Sequence, residues 1–141
     1  MVPRLTTRRP LILLASLPAP AASGGGGSLV QIASIAALEG MPYGAGYSAA
    51  KAGMHGFTMA VALETAAKGI TVNTVSPGYI STAMTEAMPE NVLESIINSV
   101  PMRRMGKPEE IANCVGWLAS EENAYTTGAN IPVNGGLFTS H

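Results

Sequence analysis

The chain has 141 residues, 47% hydrophobic and 12% charged, with a net charge of −1. This is the length of one domain, with enough apolar material for a core and too little charge for a disordered chain or for the electrostatic footprint of a nucleic-acid or anionic-membrane partner. Cys114 is the only cysteine, Asp is absent, and the histidines are His55 and His141; an intrachain disulfide is excluded, and a multi-ligand metal site or a Ser-His-Asp hydrolase is hard to build.

Residues 1–27 differ in character from the rest of the chain. Arg4, Arg8 and Arg9 precede the apolar run Leu11 to Leu14, and small residues gather around Ala19 and Ala21. That order resembles a short signal peptide, and the lack of acidic residues also suits a transit peptide. The run is far below the roughly 20 residues a transmembrane helix needs. The preferred reading is a non-native start to a cytoplasmic protein. Gly24 to Gly27 is a flexible linker by composition. It is not a phosphate loop, because no strand, helix or P-loop lysine frames it.

Ser28 to Ser34 holds Leu29, Val30 and Ile32 between glycines and a loop, which predicts a buried parallel strand. Ser34 then falls at the strand's carboxyl end, where ligands sit in open α/β sheets. A glycine-rich loop with Pro42 comes next, and Met41 and Tyr43 are specificity candidates if it borders a pocket. From Tyr47 to Lys68 the sequence is alanine-rich and free of proline, the strongest helix of the chain. Gly69 is placed to end it in a left-handed cap. Only Tyr47, of four tyrosines, has a lysine at +4, Lys51. On a helix these two share a face. An ammonium beside a phenol favours the phenolate, which makes the phenol a usable proton donor and acceptor near neutral pH. His55, on the same helix, is read as structural or solvated.

Ile70 to Val75 is β-branched and alternating, a second strand, broken by Ser76-Pro77-Gly78. Thr82 to Val100 is a helical segment interrupted at Pro89, with Met84, Met88, Val92, Leu93, Ile96 and Ile97 as its apolar set. Arg103 and Arg104 make a basic loop, either a solvated charge pair or a phosphate contact. Pro108-Glu109-Glu110 is a good helix start, and Ile111, Cys114, Val115 and Leu118 then form one apolar stripe, so Cys114 is expected in the core. Ala129 to Val133 is a last short strand before Asn134-Gly135-Gly136.

Ser34, Tyr47-x-x-x-Lys51, Ser76-Pro77-Gly78 and Asn134-Gly135-Gly136, in that order, resemble the short-chain dehydrogenase/reductase family over roughly Gly26 to Leu137. The closest likeness is to its acetoacetyl-CoA and 3-oxoacyl-(acyl carrier protein) reductases, and the final Gly-Gly-Leu-Phe echoes the former. The resemblance implies an α/β fold: a partial, Rossmann-like, doubly wound parallel sheet of about three strands with flanking helices, spanning 28–141 and lacking the amino-terminal nucleotide-binding half. It implies NADP or NAD as cofactor and a small ketone or acyl thioester as substrate. Tyr47 would donate the proton, Ser34 hold the carbonyl oxygen, and Lys51 lower the tyrosine pKa and bind the nicotinamide ribose. Pro77, Gly78 and Ile80 would line the nicotinamide, and Thr82 bond its carboxamide or a phosphate. The Thr82 to Val100 region would be a lid, and the tyrosine helix would pack on its copy in a homo-oligomer or on a full-length relative. With no glycine-rich pyrophosphate turn in the sequence, cofactor affinity is expected to collapse, and the edge at Ser28 to Ser34 to be left unpaired. A non-catalytic interaction module and a functionless truncated product are the rival readings.

Overall fold

A computed structural model describes residues 15–18 and 26–139; the signal- or transit-peptide reading rests largely on residues outside these. The described elements are β1 (Ala15–Pro18), β2 (Gly27–Ile32), α1 (Ala45–Thr65), β3 (Ile70–Pro77), α2 (Ala83–Glu86), α3 (Glu90–Ser99), α4 (Pro108–Ala119) and β4 (Asn130–Val133). The sheet order is β1-β2-β3-β4. β2, β3 and β4 run parallel, from Gly27 opposite Ile70 through Ile32 opposite Val75, and from Thr74 opposite Asn130 through Pro77 opposite Val133. This is the expected three-strand parallel core of an α/β fold.

The expected open edge is a correction. β1 pairs antiparallel with β2, Ala15 opposite Val30 and Pro18 opposite Gly27. Backbone from the leader thus satisfies the donors and acceptors that the first part of the edge, Gly27 to Val30, would present; among the described residues the remainder, from Gln31 on, has no partner on that side. β2 also starts at Gly27, so the linker glycine is part of the ladder rather than ahead of it.

Parallel strands require crossovers, and alternation of side chains decides which face each helix covers. Val75 joins Val30 and Leu118 in the core, with Ile32, Ile111, Cys114, Val115, Ile131 and Val133 against it. Its neighbour Thr74 points the other way, to Thr58 of α1. So α4 and α1 lie on opposite faces of the sheet. The α4 face holds this apolar cluster with Ser28, Thr71 and Asn73 beside it; the α1 face carries Gln31, Thr74, Ser76 and Asn130.

The local signals held in detail. A short 3-10 turn, Ala66–Lys68, continues α1, and Gly69 ends it at φ 69°. Pro89 separates α2 from α3 and caps the latter, and Pro108 opens α4. The strand break falls later than expected. Ser76 and Pro77 remain in β3, because the next donor to β4 is Gly78, whose N–H bonds Val133 O at 3.0 Å; proline at the strand end forfeits nothing.

Candidate active site

Ser34 caps the 3-10 turn Ile35–Ala37, its Oγ accepting from Ala36 N at 3.2 Å. A hydroxyl also carries one proton to give, and among the described residues Ser34 has no acceptor for it. β2 holds this corner in place. Ala33 N donates to Val75 O at 2.8 Å, and the register of Ile32 opposite Val75, carried two residues on, brings Ser34 level with Pro77. The carboxyl ends of two parallel strands thus present Ser34 and Pro77-Gly78 along one edge, the edge at which open α/β sheets take ligands.

Helix α1 starts at this edge. Lys51 Nζ donates to Ile32 O at 2.8 Å and lies 5.9 Å from the centre of the Tyr47 ring. An ammonium has three donors, so two remain. Tyr47, 47% exposed, faces solvent beside it. The tie to Ile32, two residues before Ser34, seats the first turns of α1 against the serine corner. Before the helix, Met41 N donates to Ser48 Oγ at 3.0 Å, and Tyr43 stands exposed at φ 62°. Both specificity candidates therefore border the mouth of α1.

The remaining candidates are placed less centrally. Gly78 was expected to admit a ligand. A Cβ there would meet Asn134 Cβ at 2.8 Å and Asn134 Cα at 2.9 Å, so the glycine is needed first by the chain's own closing turn. Ile80 bridges to Gly106, whose missing side chain leaves room for Ile80 Cδ1. Thr82 caps α2, its Oγ1 accepting from Thr85 N and its own N–H donating to Thr85 Oγ1 at 2.7 Å. The structure brings Ser34, Tyr47, Lys51, Pro77 and Gly78 to one strand-end edge, with Ile80 and Thr82 next along the chain.

The basic loop is not free. Arg104 gives Nη1 and Nη2 to the two oxygens of Glu110, each at 2.7 Å, and Arg103 donates to Asn98 O at 2.7 Å. The Arg104 bond, aided by Lys107 N–H, lowers the Glu110 pKa to about 2. A bidentate pair leaves Arg104 little to offer a phosphate. This pair rims a cleft of about 350 Å³ lined by Tyr79, Met102, Pro132 and Asn134 among others. Cys114 is half-buried in the α4 stripe, and burial pushes its thiol pKa up, as suits a core residue. Among the described residues no group of His, Cys, Asp or Glu is placed to hold a metal.

Sequence reasoning missed the polar contacts under α1. His55 Nε2 lies 3.3 Å from Ser76 Oγ, and Ser76 Oγ donates to Asn130 Oδ1 at 2.7 Å. The one available signal was the spacing of Tyr47, Lys51 and His55, each four residues from the last on one helix face.

A parallel α/β sheet with a serine, a tyrosine and a lysine at its strand ends is the arrangement that the resemblance to short-chain dehydrogenases/reductases implied. Comparison with known proteins agrees: the profile described as Enoyl-(Acyl carrier protein) reductase matches residues 9–138. The chain is 59% identical over 114 residues to an acetoacetyl-CoA reductase of Allochromatium vinosum, covering 81% of this chain and 46% of that protein. It is 52% identical to the acetoacetyl-CoA reductase of Cupriavidus necator, covering 80% and 46%. It is 46% identical to the 3-oxoacyl-(acyl-carrier-protein) reductase FabG of Pseudomonas aeruginosa, covering 81% and 46%. The chain belongs to the short-chain dehydrogenase/reductase family. It spans about half the length of the curated relatives it matches.

Proposed function

We propose that this chain carries the proton-transfer site of an NAD(P)H-dependent reductase that converts a 3-oxoacyl thioester, such as acetoacetyl-CoA, to the 3-hydroxy compound in the cytoplasm. The observation that supports this best is Lys51, bonded to Ile32 O at 2.8 Å and 5.9 Å from the Tyr47 ring, with a serine that has a proton to give at the same strand end. Nicotinamide, when bound, supplies the hydride. Ser34 donates to the ketone oxygen and stabilises the charge that develops there. Tyr47 Oη gives its proton to that oxygen as the alkoxide forms. Lys51, with two donors left, holds the ribose and keeps a positive charge beside the phenol. Pro77, Gly78, Ile80 and Thr82 would flank the nicotinamide ring. These residues fit the nicotinamide end of the cofactor. Among the described residues no strand passes directly through a glycine-rich turn into a helix, the arrangement that serves the pyrophosphate end.

The test is reduction of acetoacetyl-CoA by purified chain, monitored by loss of NADPH or NADH absorbance, alone and mixed with a full-length relative. Tyr47→Phe is expected to abolish turnover wherever the parent shows it. Near-parent turnover in that variant rejects the assignment.

A second reading has its own observation. The side of α1 away from the sheet exposes Phe57, Met59 and Leu63, the last 85% exposed, and the glycines 53 and 56 open onto free space. A helix that packed only within this chain would not leave that face bare. It suits a second copy or a full-length relative, and co-purification with such a reductase supports this module.

A further inference from the structure

Polar side chains join α1 to the sheet alongside the buried, apolar Met54 and Ala62. Lys51 donates to Ile32 O, Thr58 and Thr74 share a buried bond of 2.7 Å, and Thr65 donates to Ile70 O at 3.2 Å. Between Lys51 and Thr58 stands His55. Its partner Ser76 is wholly buried and has one hydroxyl proton, which goes to Asn130 Oδ1 at 2.7 Å. The 3.3 Å contact with His55 Nε2 is therefore left with one donor, the imidazole N–H. Burial pushes the His55 pKa down, which favours the uncharged ring; with the Ser76 proton given to Asn130, the tautomer that completes the contact carries its proton on Nε2.

The two ends of this chain of bonds matter. His55 lies one helical turn after Lys51, and Ser76 immediately precedes Pro77 and Gly78. Asn130 belongs to β4, so three elements meet at one serine oxygen. We propose that His55 is a positioning residue, locking the Tyr47–Lys51 end of α1 to the Ser76-Pro77-Gly78 corner through Ser76 Oγ and Asn130. The inference rests on reading Tyr47 and Lys51 as the site. It adds that their distance from the strand-end corner is set by a directional bond, which apolar packing of the same volume would not supply.

The experiment uses the 141-residue chain. Nitrogen-15 NMR of the imidazole at pH 7.5 is expected to show the proton on Nε2; a proton on Nδ1 overturns the proposal. His55→Leu is then compared with His55→Gln, whose amide nitrogen can take the place of Nε2. His55→Leu is expected to shift the backbone amides of Lys51, Gly78 and Ile80 together, and His55→Gln to return them toward the parent at equal melting temperature. NADPH binding, read by fluorescence, is expected to weaken roughly five-fold in His55→Leu, about the worth of one hydrogen bond, and to recover in His55→Gln. Unmoved amides in the leucine variant, or a glutamine variant indistinguishable from it, overturn the lock. If His55→Leu does not fold, Asn130→Ala frees the Ser76 proton from the far side, and the Nε2 preference is expected to disappear; an unchanged tautomer overturns the proposal. A parent chain that binds no nicotinamide nucleotide, the result expected without a pyrophosphate turn, leaves the amide shifts and the tautomer to decide the lock, while the reading of the site is decided separately by Tyr47→Phe in the assay with a full-length relative.

Discussion

Thr58→Val tests whether the polar seam beneath α1 contributes stability. Thr58 and Thr74 are 1% and 0% exposed, with their hydroxyl oxygens 2.7 Å apart. Valine keeps the shape and removes one hydroxyl, leaving the other buried without its partner, a loss of about 1–3 kcal/mol. The neighbourhood narrows that range. Gln31 lies opposite Thr74 in the β2–β3 register, and its buried Nε2 has no partner among the described residues. It can turn to the abandoned Thr74 oxygen, so the expected cost is the lower half, about 1–2 kcal/mol. Thr74→Val is expected to cost a similar amount. Thr58→Val with Thr74→Val removes donor and acceptor together, so the double variant is expected to be less destabilised than the two singles summed, by about 1 kcal/mol. Urea unfolding monitored by far-ultraviolet circular dichroism measures all four corners of the cycle. Strict additivity would refute the reasoning, because it would mean that the two hydroxyls do not depend on each other.

The packing sets three further outcomes. Leu118→Ala, at the centre of the Val30–Val75–Leu118 cluster, is expected to cost about 2–5 kcal/mol in the same urea assay. Gly78→Ala forces a methyl against Asn134 Cα and Cβ at 2.9 and 2.8 Å; backbone must move, and a loss of about 1–3 kcal/mol is expected. Glu110 has a folded pKa of about 2, below its unfolded value of roughly 4.3. Its contribution is therefore present above the unfolded value and is lost as pH falls toward the folded one. Glu110→Gln is expected to flatten that part of the acid limb in a melting-temperature series, and an unchanged slope between pH 5 and pH 2, roughly the span of the two pKa values, refutes the pair's role.

Much of the fold was legible because its signals are local. The stripe Ile111, Cys114, Val115, Leu118 repeats at helical spacing, and burial of Leu118 is what that spacing demands. Gly69 ends α1 at a positive φ that glycine accepts freely. Tyr47 and Lys51 needed only the 3.6-residue period to share a face. Arg104 was harder, since its carboxylate partner lies six residues on, across a loop whose path no periodicity fixes. The edge of β2 was harder still. The leader carries no strand pattern that outweighs its charge and proline content, and β1 exists by virtue of the ladder it completes.

The order of residues alone determined the parallel strands, the helix that carries tyrosine and lysine, and the serine ahead of them, because each arises from backbone preference or from side chains a few positions apart. Tertiary structure decided that Gly78 must stay bare for Asn134, that Glu110 occupies Arg104, and that His55, Ser76 and Asn130 meet. Those contacts join residues 6 to 56 positions apart. Hydrogen bonds and close approaches of that kind depend on where the chain has already folded, and no short window of sequence contains both partners' surroundings.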